Sequence, residues 1–320
     1  MPAPAQAYSL EEQIDQWRNY LRRRQAIQSV DVAELEDHLG ARLINRTTRK
    51  LALTDVGAEY LKRARQILAD VEEAQALASS ATKEAKGLVR VLVPPAIAVH
   101  QLSKHLPDFH ARHPHVTLEL YSPPRVNTVD DEYDITILLE REALKGEFVA
   151  RRLARTEVIL CASPAYLDAR GRPEHPRDLP KHDVVLPPAS ALPGKIELRR
   201  TTASLNGSVD EVFEMDPPAR RAVLSTGHTD TIYAAALHGL GVAGLPSFVI
   251  EDALQEVGLE RILPEWRMYS FTIWAAMPTR KYVPARTRAF LDFLLEIFGG
   301  EDADPWLAAA GCPTQTPIAA

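Results

Sequence analysis

Residues 43–57, LINRTTRKLALTDVG, set two short apolar runs around a basic turn. Leu43-Ile44 and Leu51-Ala52-Leu53 read as strands, and Asn45-Arg46-Thr47-Thr48-Arg49-Lys50 as the tip joining them. Guanidinium forks pair with phosphate oxygens and threonine hydroxyls add donors, so the tip suits a phosphate backbone. On charge alone an ordinary solvated hairpin fits as well. Thr54 stands where a cap belongs, ahead of a helix over about residues 55–86. In it Tyr60, Ala64, Ile67, Val71, Ala74, Ala78 and Ala81 repeat in steps of four and three, a heptad seam widened by Leu61, Leu68 and Leu77. So long a helix leaving a small domain needs a partner, and dimerisation is the expectation. Gly87 ends it.

Upstream, VDVAELEDHLG (30–40) reads as a helix tail, with Val32, Leu35 and Leu39 on one face and Gly40 at its C′ position. Further back, Ser9-Leu10-Glu11-Glu12 is a capping-box pattern. Leu10, Ile14, Trp17 and Leu21 follow at helical spacing, up to the basic run Arg22-Arg23-Arg24. That run reads as solvated surface.

Downstream of Gly87 the pattern changes to alternating strands and helices, the mark of a sheet with crossover helices. Strands are expected at 88–93, 116–121, 134–139, 157–161, 195–199, 242–245 and 269–276. Helices are expected at 97–112, 164–169, 229–239, 247–256 and 284–298. The proline-rich stretch 173–193 reads as loops. The tail 300–320 has weak patterning and is expected to be mobile.

A chain of 320 residues with net charge −6 is no general nucleic-acid coat. Yet residues 42–65 hold seven Lys or Arg against Asp55 and Glu59, so positive charge is concentrated beside the basic tip. Cys161 and Cys312 give no disulfide framework, which suits a reducing, cytoplasmic setting. MPAPAQAYSLEEQID does not read as a secretory signal, and no apolar run approaches membrane-spanning length.

Gly239-Leu240-Gly241-Val242-Ala243-Gly244 matches G-x-G-x-x-G, but with a helix before it and a strand after it. Dinucleotide binding needs the reverse order, so these glycines read as a helix end and a tight turn. His105, His110, His113 and His115 cluster without a completing ligand, so no metal site is expected. The familiar nucleophile, zinc-protease and P-loop motifs are absent from the sequence. Enzyme chemistry and a bound cofactor therefore have no support. Ser225-Thr226-Gly227-His228-Thr229-Asp230 and Pro94-Pro95-Ala96-Ile97 each precede a helix. Two helix N-termini facing one cleft would suit a small carboxylate, although plain capping explains either one alone.

Residues 32–75 closely resemble the second half of the DNA-binding domain of LysR-type transcriptional regulators. Glu34-Leu35-Glu36 and Leu39-Gly40 match the end of that family's recognition helix, Leu43 to Arg49 its wing, and Leu53-Thr54-Asp55-Val56-Gly57 its L-T-x-x-G approach to the linker helix. PDFHARHPHVTLELY (107–121), Asp134-Ile135-Thr136, GLGVAGLPSFVI (239–250) and AFLDFLLEIF (289–298) resemble its effector-binding module. Residues 1–31 depart from the pattern. Only Gln25 and Ser29 fall at matching places, Val30 and Asp31 stand where a basic residue is usual, and too few residues precede Val32 for two full helices.

The resemblance implies a mixed fold: a winged helix-turn-helix over 1–54, a linker and dimerisation helix over 55–87, and a two-lobed α/β effector domain of periplasmic-binding-protein type over 88–299. Lobe I would be 88–161 with 270–299, and lobe II 162–269. Arg46, Thr47, Thr48, Arg49 and Lys50 would contact phosphate, with Gln25 and Ser29 left for bases. A small organic anion would sit near Ala96, Ile97, Thr136, Thr226 and His228. The implied partners are double-stranded DNA, that effector and further copies of the chain, as a homodimer or homotetramer, and no membrane. The alternative is an effector-binding relic or decoy subunit that has lost specific DNA binding.

Overall fold

The computed structural model describes residues 32–47, 50–61, 63–64, 67, 71, 85–141, 144–192, 194–201, 209–217, 222–278 and 283–312. The chain divides into two compact units, Met1–Glu72 and Glu73–Ala320.

In the first unit α1 (Val32–Leu39) stops at Gly40, whose φ of +63° is the left-handed conformation that a C′ glycine supplies. Glu36 reaches past this turn and accepts from the backbone N–H groups of Leu43 and Ile44 at 2.7 and 2.8 Å. Its carboxylate thereby sets where the hairpin begins. β1 (Ile44–Thr47) and β2 (Lys50–Leu53) pair antiparallel, Ile44 opposite Leu53 and Thr47 opposite Lys50. This is the expected ribbon.

Thr54 then caps the following helix: its Oγ1 accepts from the Gly57 N–H at 2.9 Å and donates to the Arg42 carbonyl at 2.7 Å. The Thr54 N–H donates to the Leu43 carbonyl at 2.9 Å. A Cβ at position 57 would run into that same carbonyl, which is why glycine stands there. The helix is described over 55–61; most of its heptad seam and the segment 9–28 lie outside the described residues.

The second unit runs β3 (Gly87–Leu92), α2, β4 (Val116–Tyr121), β5 (Ile135–Glu140), β6 (Phe148–Ala162), α3 (Pro164–Arg170), β7 (Val184–Leu186), β8 (Ile196–Thr201) and β9 (Val209–Met215). It continues with β10 (Ala222–Ser225), α4 (Thr229–Leu237), β11 (Val242–Pro246), α5 (Ser247–Gln255), β12 (Glu260–Arg261), β13 (Trp266–Arg267), β14 (Ser270–Pro278), α6 (Ala285–Phe298) and α7 (Pro305–Ala309). Helix α2 comprises Pro95–Ile97, a π-helical turn Ala98–Leu102, and Ser103–Arg112.

The main sheet has the order β10-β7-β11-β6-β14-β5-β3-β4, with β12 also on β6. β6 belongs to both halves. Phe148 to Glu157 pair with β14, while Val158 to Cys161 pair with β11. One strand thus carries the chain from lobe I (β4, β3, β5, β14) into lobe II (β11, β7, β10). A small antiparallel sheet, β13-β8-β9, flanks lobe II.

Alternation explains the core of lobe I: Val89, Val91, Ile135, Ile137, Ile273 and Ala275 point to one face and are fully buried. α6 lays Phe290, Phe293, Leu294 and Phe298 on that face. Each such side chain contributes roughly 1.5–3 kcal/mol by leaving water. The same apolar cluster continues through Phe248, Val249, Ile159 and Ile232 into lobe II.

Three expectations need correction. The strand expected at 157–161 is a 15-residue strand, because its first part pairs with β14 along the edge of lobe I, where the arginines at 151, 152 and 155 hide the apolar pattern. The stretch 173–193 is not all loop: Val184–Leu186 form β7, parallel to both β11 and β10, and Pro176–Lys181 form a 3-10 helix. The tail is not free where it is described. α7 packs with Trp306 and Leu307 buried, Trp306 lying between the rings of Phe248 and Phe298 at 5.7 and 5.8 Å.

The G-x-G-x-x-G stretch lies between α4 and β11. Gly239 has φ +80°, and a Cβ at Gly241 would run into the Asp183 carbonyl. Close backbone packing, not phosphate, requires these glycines.

Candidate functional site

The hairpin presents its basic positions in a fixed backbone frame. Arg46 is opposite Leu51, and Thr47 is opposite Lys50 at the last pair before the tip. Thr48, Arg49, Gln25 and Ser29 lie outside the described residues.

The expected effector residues fall at three places in the second unit. Ala96 and Ile97 sit in the first turn of α2 and are buried. This turn has few free donors: Pro95 has no N–H, and the amides of Ile97 and Ala98 both bond to the Pro94 carbonyl at 3.0 and 3.2 Å. Thr136 lies in β5, opposite Leu92 of β3 and Ala276 of β14, and is fully buried. Its hydroxyl has no hydrogen-bond partner among the described residues. Such a group costs about 1–3 kcal/mol to bury unpaired. Thr226 and His228 lead into α4, where the Thr226 hydroxyl accepts from the His228 N–H at 3.2 Å. The exposed His228 ring pairs through Nδ1 with the Thr231 hydroxyl at 3.1 Å.

What joins two of these places, the starts of α2 and α4, is a set of residues that the sequence did not single out. His100, on α2 of lobe I, bonds through Nε2 to Asp230 Oδ1 on α4 of lobe II at 2.8 Å. Its ring also meets the edge of Tyr233 at 5.1 Å. One residue on, the Gln101 amide donates to the Phe248 carbonyl at 2.6 Å. Lys104 Nζ then reaches Asp252 at 2.7 Å and Glu251 at 3.2 Å, both on α5. Burial works against the Lys104 ammonium, but the bond to Asp252 and the charge of Glu251 outweigh it and raise its pKa. One face of α2 is therefore stitched to two helices of lobe II. The sequence held no distinct signal for these residues, because α2 carries other polar residues such as His105 and Asp108, and their partners lie 130 to 150 residues away.

Asp230 also matters for charge. It lies in the first turn of α4, where a carboxylate complements the positive end of the helix. His228 Nε2 stands 3.8 Å from its other oxygen. That helix end is already served by an anion of the protein itself.

Lobe II also contains a cavity of about 80 Å³, lined mainly by apolar side chains including Leu186, Leu198, Met215, Val242 and Met268. None of the five expected effector residues lines it. Cys161 is fully buried, and burial pushes its thiol up to about 12, so it is inert at neutral pH.

A second polar cluster lies where β6 changes sheets. Asp304 Oδ2 accepts from the Glu157 N–H at 2.8 Å and the Ser247 hydroxyl at 2.7 Å, and Oδ1 accepts from the Leu307 N–H at 3.2 Å. Ser247 in turn meets the Thr156 hydroxyl at 2.8 Å. The Glu157 carboxylate pairs with Arg267 at 2.9 Å, both nearly buried. One side chain from the C-terminal segment thus ties together the crossing strand and the start of α5. Burial pushes the Asp304 carboxyl up to about 6, although all three hydrogen bonds favour its charged form.

A model of the LysR substrate binding domain matches residues 82–299. The HTH-type transcriptional regulator YhjC of Escherichia coli is 30% identical over 269 residues, covering 83% of this chain and 86% of the relative. CrgA of Neisseria meningitidis is 30% identical over 272 residues, covering 84% of this chain and 86% of the relative. The crystal structure of CrgA has a TM-score of 0.55 at 25% identity, covering 84% of this chain and 87% of that one. Full-length AphB of Vibrio cholerae shares the fold, with a TM-score of 0.56 at 23% identity over 83% of this chain and 88% of that one. These relatives are regulators rather than enzymes, and they do not favour a relic that only binds effector.

Proposed function

The chain belongs to the LysR-type family of transcriptional regulators, and on that premise we propose how its parts divide the work. The stretch 1–54 holds DNA, with Arg46, Thr47, Thr48, Arg49 and Lys50 on phosphates and Gln25 and Ser29 at base edges. The helix over 55–87 joins copies into a homodimer or homotetramer. The module over 88–299 senses a small organic anion held near Ala96, Ile97, Thr136, Thr226 and His228, between a lobe of 88–161 with 270–299 and a lobe of 162–269. The regulator works in the cytoplasm, beside its DNA.

The observation that carries the sensing step is the His100–Asp230 contact. An incoming carboxylate would meet the partners Asp230 already has: the His100 ring, the His228 ring and the start of α4. We infer that effector takes the place of Asp230 at His100. Displacing Asp230 would loosen one stitch of the seam and shift how the lobes meet, which couples the effector site to the DNA-binding end. The Thr136 hydroxyl, without a hydrogen-bond partner among the described residues, would be a further donor for the bound molecule.

The test is Asp230→Asn, which keeps the shape and removes the resident charge. A panel of small carboxylates is titrated against both full-length proteins by calorimetry. The variant should bind at least one of them several-fold tighter than the parent. Unchanged or weaker affinity for every carboxylate bound by the parent would sink the displacement step.

A further inference from the structure

We propose that a groove on the edge of lobe I binds a small amphipathic carboxylate, at a site separate from the seam between the lobes. The groove has a volume of about 580 Å³ and lies between β6, β14 and α6. Its floor is apolar, formed by Val149, Met277, Val283, Leu291 and Leu295. Its rim carries Arg151, Arg152 and Arg288 against a single lining carboxylate, Asp292.

Two consecutive arginines line the groove at the last regular pairs of β6 before a bulge. Trp274 of β14 pairs with Arg152 of β6, but the next residue back, Ile273, pairs with Ala154. Leu153 is the extra residue of a bulge, which bends and twists the strand just beyond Arg152, while Arg151 stays in regular register opposite Ala275. Arg152 is held by Asp302 at 3.4 Å. Arg151 and Arg288 make no ion pair among the described residues.

Exposed arginines ordinarily lay their stems along apolar surface and cover it. Here they leave a void within the roughly 300–1,000 Å³ range of small-molecule sites. Val149, part of the apolar floor, stays 44% exposed. Two guanidinium forks without an ion pair among the described residues, above an apolar floor, match an anion with an apolar body. The carboxylate takes the forks at Arg151 and Arg288, and the body lies on Met277, Leu291 and Leu295. An uncharged apolar molecule would leave the forks idle, and a compact hydrophilic anion would leave the floor wet.

The probe is octanoate, titrated by calorimetry into the full-length protein at low and moderate salt, with 1-octanol as its uncharged counterpart. Octanoate should bind saturably, more weakly as salt rises, and much more tightly than octanol. Arg151→Ser with Arg288→Ser should weaken it at least tenfold; both side chains stand on the rim, so folding should survive. Asp292→Lys, which adds charge to the rim, should tighten it. Thr226→Ala with His228→Ala removes the seam's own anion contacts, so in that background octanoate should still bind saturably and still be weakened at least tenfold by Arg151→Ser with Arg288→Ser, and this separates the groove from the effector site proposed above. No saturable binding, equal binding by the double arginine variant, or loss in the seam variant instead would overturn the proposal.

Discussion

Asp304→Asn isolates a proton that the fold itself holds. The carboxyl is buried between the Glu157 amide, the Ser247 hydroxyl and the Leu307 amide, with the Glu157 carboxylate nearby. Its pKa rises from an ordinary aspartate value of 3.8 to about 6. A folded pKa above the unfolded one means that the native state binds the proton more tightly. The stabilisation is fully present below about pH 4 and is lost as pH rises through about 6. The gap corresponds to about 3 kcal/mol, at about 1.4 kcal/mol for each tenfold change in the proton equilibrium. The native protein should therefore gain on the Asp304→Asn variant as pH falls from 7.5 to 5. His182, whose pKa burial lowers, works in the opposite sense but is common to both proteins and cancels in the difference. Urea unfolding of both proteins at pH 5, 6 and 7.5, followed by fluorescence, measures that difference. At pH 5, about one pH unit below the folded pKa, about half of that is recovered, so a gain of about 1.4 kcal/mol on acidification is expected, with any constant offset from the introduced amide facing the Glu157 N–H set aside. Parallel stability curves across this range would refute the reasoning, because they would mean that Asp304 stays ionised in the native state.

Gly57→Ala should damage the joint between hairpin and linker helix, since the new Cβ runs into the Leu43 carbonyl. A cost of about 1–3 kcal/mol falls on the first unit alone, so DNA binding should drop while the main melting transition of the second unit stays put. Trp306→Ala removes the ring between Phe248 and Phe298 and should lower stability by about 3–5 kcal/mol. A thermal melt of the full chain checks it, and a shift of under one degree would show that α7 is only loosely attached.

Local chemistry made some of this architecture readable and long-range contacts hid the rest. The hairpin, its cap at Thr54 and the glycine at 57 are settled within a few residues, so LINRTTRKLALTDVG announced them. β6 was half visible, because VILC is an apolar run while ARRLAR, with two adjacent arginines, shows no clean alternation. β7 is three residues bracketed by prolines, too short for periodicity to register. α7 is five residues whose burial depends on Phe248 and Phe298, and nothing in PWLAA alone shows that. The effector residues were chosen as helix N-termini. The structure adds that the first one has few free donors, since Pro95 lacks an N–H and the Ile97 and Ala98 amides bond to the Pro94 carbonyl, and that Asp230 occupies the second. The stitches His100–Asp230 and Lys104–Asp252 escaped because each partner looks like an ordinary solvated residue until the lobes meet.

The most direct test of the account is a titration of the full-length protein against the DNA flanking its own gene, at low and moderate salt, with an unrelated duplex as control. The account predicts tighter binding to its own DNA. It also predicts that Arg46→Ala with Arg49→Ala weakens binding to both duplexes and flattens the logarithmic salt slope by about 1.8, at roughly 0.9 for each phosphate no longer neutralised. Binding no tighter than to the control, by a protein that still melts cooperatively, would contradict it and leave a sensor without a reading head.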